Sequence, residues 1–148
     1  MNHYQHILLS VDFFAQDNLI AERAKAIAEK FQAKLSIIHV MEPMPINDAG
    51  LGGEMPVNFD LMNALEETAK QSLERLAANL DVPKERQWLE IGNPKYEIVR
   101  VATDNNVDLI VVGSHGRHGL ALMLGSTTDG IVHKAPCDVL AVHLPDAH

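Results

Sequence analysis

Leu109-Ile110-Val111-Val112-Gly113-Ser114-His115-Gly116-Arg117-His118-Gly119 is the stretch on which the fold turns. It begins with four aliphatic residues in a row and stops abruptly at Gly113. Continuous apolar character without alternation is what a strand buried on both faces requires. The glycines that follow suit a turn that another group must approach closely. A central strand with a glycine-rich segment at its carboxyl end implies an open, mostly parallel sheet.

The sequence on either side repeats the pattern. Ile7-Leu8-Leu9-Ser10-Val11 is a second short buried run, ending at Asp12. Asp17 is placed to cap the helix that follows, in which Leu19, Ile20, Ala24, Ile27, Ala28 and Phe31 recur at helical spacing. Leu35-Ser36-Ile37-Ile38-His39-Val40 supplies the next strand, completing a βαβ unit with a right-handed crossover. Pro43, Pro45 and Pro56, with Gly50, Gly52 and Gly53, then mark a loop over about 41–57. A long helix is expected over about 58–80, with Leu61, Leu65, Ala69, Leu73, Leu76 and Leu80 as its apolar stripe. Residues 87–91 read as a partly exposed strand, and Gly92-Asn93-Pro94 opens a helix carrying Ile98, Val99, Val101 and Ala102. Beyond the glycine segment, 126–134 reads as a short helix and Val139-Leu140-Ala141-Val142 as the fifth strand. Strands alternating with helices give one α/β domain over 1–148, an open five-stranded parallel sheet with helices on both faces.

Composition narrows the partners. The chain has 148 residues, enough to bury a core without cross-links, and its 22% charged content is that of a globular domain. A net charge of −8 with no basic run repels phosphate backbones and anionic membranes, so neither nucleic acid nor a membrane is an expected partner. The polar start Met1-Asn2-His3-Tyr4-Gln5-His6 lacks the features of a signal peptide, and the single cysteine, Cys137, suits a reducing compartment. A cytoplasmic location is the expectation.

Ligands in such a sheet bind beyond the carboxyl ends of the strands, where strand order reverses. Asp12, Val40 and the segment from Gly113 onward all fall at strand ends, and Gly125-Ser126-Thr127-Thr128 stands at a helix start. Phosphates favour backbone N–H groups and positive potential, which a helix N-terminus supplies. Ser126, Thr127 and Thr128 add hydroxyls, and Arg117 would offset phosphate charge. The spacing is neither a GxxxxGK[ST] loop nor a GxGxxG turn, and glycines after a strand are equally consistent with an ordinary turn.

Gly113-x2-Gly116-x8-Gly125-Ser126, set between Leu109-Ile110-Val111-Val112 and Ala135-Pro136-Cys137-Asp138-Val139-Leu140-Ala141-Val142, resembles the signature of the universal stress protein family. The opening Tyr4-Gln5-His6-Ile7-Leu8-Leu9-Ser10-Val11-Asp12 and the Ala33-Lys34-Leu35 to His39-Val40 segment resemble it too, so the likeness spans nearly the whole chain. It implies a Rossmann-like sheet of order 3-2-1-4-5, a stress-response role, and a homodimer formed through Val139, Leu140, Ala141 and Val142. Nucleotide-binding members follow G-x2-G-x9-G-[ST]; here eight residues separate Gly116 from Gly125. The resemblance implies ATP or AMP, with Mg2+ arriving on the phosphates. Asp12 would face the ribose or phosphate side, Val40 would meet the adenine, and Val112 and Gly113 would line the floor. His115, Gly116, Arg117, Gly125, Ser126 and Thr127 would surround the phosphates.

Other doubly wound families fit less well. A phospho-receiver needs an acidic pair after its first strand and a lysine after its fifth, whereas this chain has Asp12 alone and Leu144-Pro145. Phe13-Phe14-Ala15-Gln16 stands where a flavodoxin has its phosphate loop, and an HxGH motif is absent. The remaining side chains have simpler readings. His39 reads as a satisfied core histidine, and His115 and His118 as loop residues without a triad around them. The histidines form no HxH or HxxxH pair on one element, so no structural metal is expected. Met41, Met44 and Met55 suit either a cover for a base or plain loop packing. Cys137 reads as structural. Three functions compete: a nucleotide-binding regulatory dimer, a ligand-free stress-response interaction protein, and a slow nucleotide hydrolase using His115, His118 or Asp12. The first is favoured, and no enzyme activity is expected.

Overall fold

The computed structural model describes residues 3–13, 17–43, 59–113 and 126–143, and in it the aliphatic runs line up as one parallel sheet. The elements are β1 (His6–Ser10), α1 (Asp17–Phe31), β2 (Lys34–Met41), α2 (Phe59–Leu80), β3 (Gln87–Ile91), α3 (Pro94–Asp104), β4 (Leu109–Gly113), α4 (Ser126–Lys134) and β5 (Asp138–Val142). Strand order is β3-β2-β1-β4-β5, as the resemblance implies. The chain lays down β2 and β3 on one side of β1, then crosses to β4 and β5 on the other. The order therefore reverses between β1 and β4, which pair directly through Ile7↔Leu109, Leu8↔Ile110 and Leu9↔Val111.

Because strand side chains alternate, each buried run feeds two core layers. Ile7, Leu9, Val11, Ile37 and Val111 pack on one face against Ile20, Ala24 and Ala28 of α1 and Leu73 and Ala77 of α2. Leu8, Ile38, Val40, Ile110 and Val112 pack on the other against Ile98, Val101 and Ala102 of α3 and Ile131 of α4. Helices thus cover both faces, and the edge strand β3 is half-buried along most of its length.

Turn chemistry at the start of α3 follows the sequence. Gly92 sits at φ +152°, a conformation closed to most side chains, and its N–H donates to Met41 O at 2.9 Å. The Asn93 side chain then caps α3 by accepting from the Lys95 N–H at 3.1 Å, with Pro94 in the first turn. Gly130 has a different purpose: a Cβ there would come within 2.6 Å of the Lys95 side chain, so its absence lets α4 lie close against α3.

The stripe expected along α2 is only half realised. Ala69 and Leu73 are buried, but Leu61 is 42% and Leu65 41% exposed. At 1.5 Å per residue a helix of 22 residues runs about 33 Å, longer than the strands beneath it, so its first turns overhang the sheet. A short 3-10 turn, Lys84–Arg86, was not legible as an element; it follows Pro83, whose carbonyl accepts from the Arg86 N–H.

The amino ends of the strands are tied by side chains. The Asp108 carboxylate accepts from the N–H groups of Gln5 and His6, and the Asp108 N–H donates to His6 O. The Tyr4 hydroxyl donates to Asp138 at 2.8 Å. His6 is buried, with Nδ1 against Asn105 O and Nε2 against the Ser36 hydroxyl. A carbonyl only accepts, so Nδ1 carries the proton, and Nε2 takes the hydrogen of Ser36. Burial pushes the His6 imidazole below its ordinary pKa, with the Asn105 carbonyl opposing.

Candidate functional site

The opposite end of the sheet carries the residues singled out for chemistry. Val40 and Val112 lie at the carboxyl halves of β2 and β4, in the same core layer as Ile38 and Ile110, and their side chains are buried beneath α3 and α4. Gly113 closes β4, in register with Val142 of β5. Asp12 follows β1 and is exposed. Asp12 and Gly113 thus mark the carboxyl ends of the two adjacent strands between which the order reverses.

The backbone around Asp12 is held on both sides. Val11 N–H donates to Ile38 O at 3.1 Å, carrying the β1–β2 ladder past the end of the strand. His39 Nδ1 lies 2.8 Å from Val11 O and, facing a carbonyl, must be the donor. Phe13 takes φ +64°, rare for a bulky side chain, and its ring meets the His39 ring with centroids 4.4 Å apart. His39 is therefore the satisfied, half-buried histidine expected, and its partner is the site's own backbone.

α4 begins at Ser126, as expected for a helix N-terminus facing the strand ends. Thr128 is buried, and its hydroxyl donates to Gly113 O at 2.8 Å. That bond draws the first turn of α4 onto the end of β4. It also commits the Thr128 hydrogen, so Thr128 is a tether and not a donor toward phosphate. Thr127, one residue earlier, is half-buried. The first turn of α4, with the positive end of the helix dipole, is thereby held beside the carboxyl end of β4.

Six of the ten expected site residues are thus placed at this end: Asp12, Val40, Val112, Gly113, Ser126 and Thr127. His115, Gly116, Arg117 and Gly125 lie outside the described residues, as do His118, most of the 41–57 loop and the side chains of Asp17 and Ser126. Sequence reasoning missed Phe13 and the tethering use of Thr128. The φ of Phe13 leaves no mark in composition, and a hydroxyl near a helix start reads equally as donor or tether.

The group that the family resemblance implies is an adenine nucleotide, and the described residues suit one. The exposed Asp12 carboxylate can accept from sugar hydroxyls, and a helix N-terminus favours phosphate. Among the described residues no group of three or more His, Cys, Asp or Glu side chains could hold a metal ion. Cys137 lies away from this end, before β5, and burial pushes its thiol up to about 11, with Asp108 and Asp138 adding to the shift. No described helix is long and apolar enough to cross a membrane.

Comparison with known proteins agrees with this architecture. Universal stress protein A homolog 1 of Coxiella burnetii is 39% identical over 146 residues, covering 97% of this chain and 99% of that one. The solved structure of protein MJ0577, a universal stress protein of Methanocaldococcus jannaschii, superposes with a TM-score of 0.80 at 28% identity, over 99% of this chain and 100% of that chain. The universal stress protein UspA from Lactobacillus plantarum gives a TM-score of 0.78 at 26% identity, over 98% and 100%. Residues 3–143 match the Universal stress protein family, and the chain, with its β3-β2-β1-β4-β5 sheet, belongs to that family.

Proposed function

We propose that the protein binds an adenine nucleotide, ATP or AMP, across the carboxyl ends of β1 and β4 and acts as a stress-response regulator, not as a catalyst. The observation that carries this reading is the convergence at the switch point. Exposed Asp12, the end of β4 at Gly113 and a helix N-terminus drawn there by Thr128 meet where open α/β sheets take ligands. Val40 and Val112 meet the adenine. Asp12 accepts from the ribose hydroxyls, a better match for a carboxylate than the phosphates would be. The first turn of α4, with Ser126 and Thr127, faces the phosphates, and His115, Gly116, Arg117 and Gly125 complete that side by the family pattern. Mg2+ comes with the phosphates, because it binds largely through them and water.

The protein acts as a homodimer in the cytoplasm. Both sheet edges need a partner or a deterrent. β3 carries Gln87 and Glu90, the latter paired with Arg100 at 2.8 Å, whereas β5 offers Val139, Leu140, Ala141 and Val142. The edge with the uncharged run 139–142 is the one that pairs with its twin across a two-fold axis.

A second reading, a ligand-free dimer acting through protein contacts, is favoured by the eight residues between Gly116 and Gly125 where nucleotide-binding relatives have nine. Calorimetric titration of MgATP and of AMP into the wild type and Gly116→Ala separates the two. Saturable binding weakened by the substitution supports the nucleotide reading. Heats of dilution alone at millimolar nucleotide would leave the ligand-free dimer.

A further inference from the structure

One imidazole holds both neighbours of Asp12. On the preceding side, the His39 Nδ1–H donates to Val11 O at 2.8 Å. On the following side, the Phe13 ring rests against the imidazole at 4.4 Å between centroids and 47° between planes, with the Phe13 backbone at φ +64°. A bulky residue keeps a left-handed backbone only where its surroundings over-determine it, and here the ring contact contributes that constraint. Asp12 sits between two fixed points, exposed, with its backbone direction set from both ends.

His39 faces the α1 and α2 side of the sheet, since it alternates with Ile38 and Val40, which pack toward α3 and α4. Val40 and Val112, the residues assigned to the adenine, belong to the opposite face, so His39 acts through the turn and not on the ligand. We propose that His39 is a positioning residue of the nucleotide site: it aims the Asp12 carboxylate by clamping Val11 O and Phe13 together. This rests on the nucleotide reading above. Two separable parts of the imidazole are involved, the N–H and the ring face.

The test is a set of substitutions read by MgATP affinity, with urea unfolding as the measure of stability. His39→Phe keeps a ring against Phe13 and loses the donor; His39→Asn places an amide N–H where Nδ1 stood. His39→Phe is expected to bind MgATP about tenfold more weakly, the worth of one net hydrogen bond. His39→Asn is expected to recover most of that loss. The deciding comparison is the double variant: if His39 works through Asp12, His39→Phe adds nothing to the loss already caused by Asp12→Ala. A general structural defect would add in full. Should His39→Phe unfold, Phe13→Gly serves in its place, because it removes the ring contact from a backbone that glycine adopts freely. Wild-type affinity in His39→Phe, or full additivity with Asp12→Ala, overturns the proposal while leaving the nucleotide reading intact. Absence of binding in the wild type overturns both.

Discussion

His6 shows how much one buried side chain can fix and how its chemistry surfaces in solution. It joins β1 to Ser36 of β2 and to the carbonyl of Asn105, and burial favours its neutral form. The unfolded chain takes up a proton on this group near pH 6.5, the ordinary imidazole value, while the folded protein resists until lower pH. The unfolded state therefore binds more protons in that window, and stability falls as pH falls. The contribution is complete above about pH 7 and is lost as pH drops through 6.5 toward the depressed folded value. Urea midpoints measured between pH 7.5 and 5 should decline, and the decline should flatten in His6→Asn, which lacks the titrating ring. An equal slope in both proteins would show that other groups govern the acid limb. No sequence pattern singled out His6. Its partner Ser36 is thirty positions away and is seen to be a diagonal neighbour only once the His6↔Lys34 and Leu8↔Ser36 register is known.

Among the elements, the bond from Thr128 to Gly113 O joins β4 to α4 directly. Thr128→Val keeps the shape and removes the donor, leaving a carbonyl at the strand end short of a partner. A loss of about 1–3 kcal/mol in unfolding free energy is expected from such a change. A loss within measurement error would mean that water replaces the hydroxyl and that the tether is not needed to hold α4. The elements themselves were largely legible. Leu109-Ile110-Val111-Val112 needed no context, and Gly92-Asn93-Pro94 announced α3 by local turn chemistry that the structure reproduces. What sequence could not convey was where an element ends relative to its neighbours. The α2 stripe is periodic through Leu61 and Leu65, yet those residues are exposed, because periodicity reports a helix face and not what lies under it. Strand ends put the expected site residues Asp12, Val40 and Gly113 at one end of the sheet, but the contacts that hold the backbone around Asp12 come from His39 and Phe13, set by tertiary contact.

For the whole molecule, the two ends of the sheet differ in kind. The amino ends are closed by Asp108, Tyr4 and His6, whereas the carboxyl ends present exposed Asp12 and a helix N-terminus. On the nucleotide reading proposed above, ligand contact falls at the carboxyl end. The apolar run 139–142 of β5 adds an expectation about assembly: a chain of 16.3 kDa should sediment as a dimer, and Leu140→Glu, which sets a charge within that run, should shift it to monomer. A monomeric wild type, or a variant that remains dimeric, would move the interface away from β5. The location of the ligand is tested most directly by amide chemical shifts recorded while MgATP is added to labelled protein. Saturable shifts are expected at Val11, Asp12, Val40, Val112, Gly113 and the first turn of α4, with His6, Asn105 and Asp108 unmoved. Shifts confined to the amino ends of the strands, or none at millimolar nucleotide, would contradict a nucleotide site at the β1–β4 switch point.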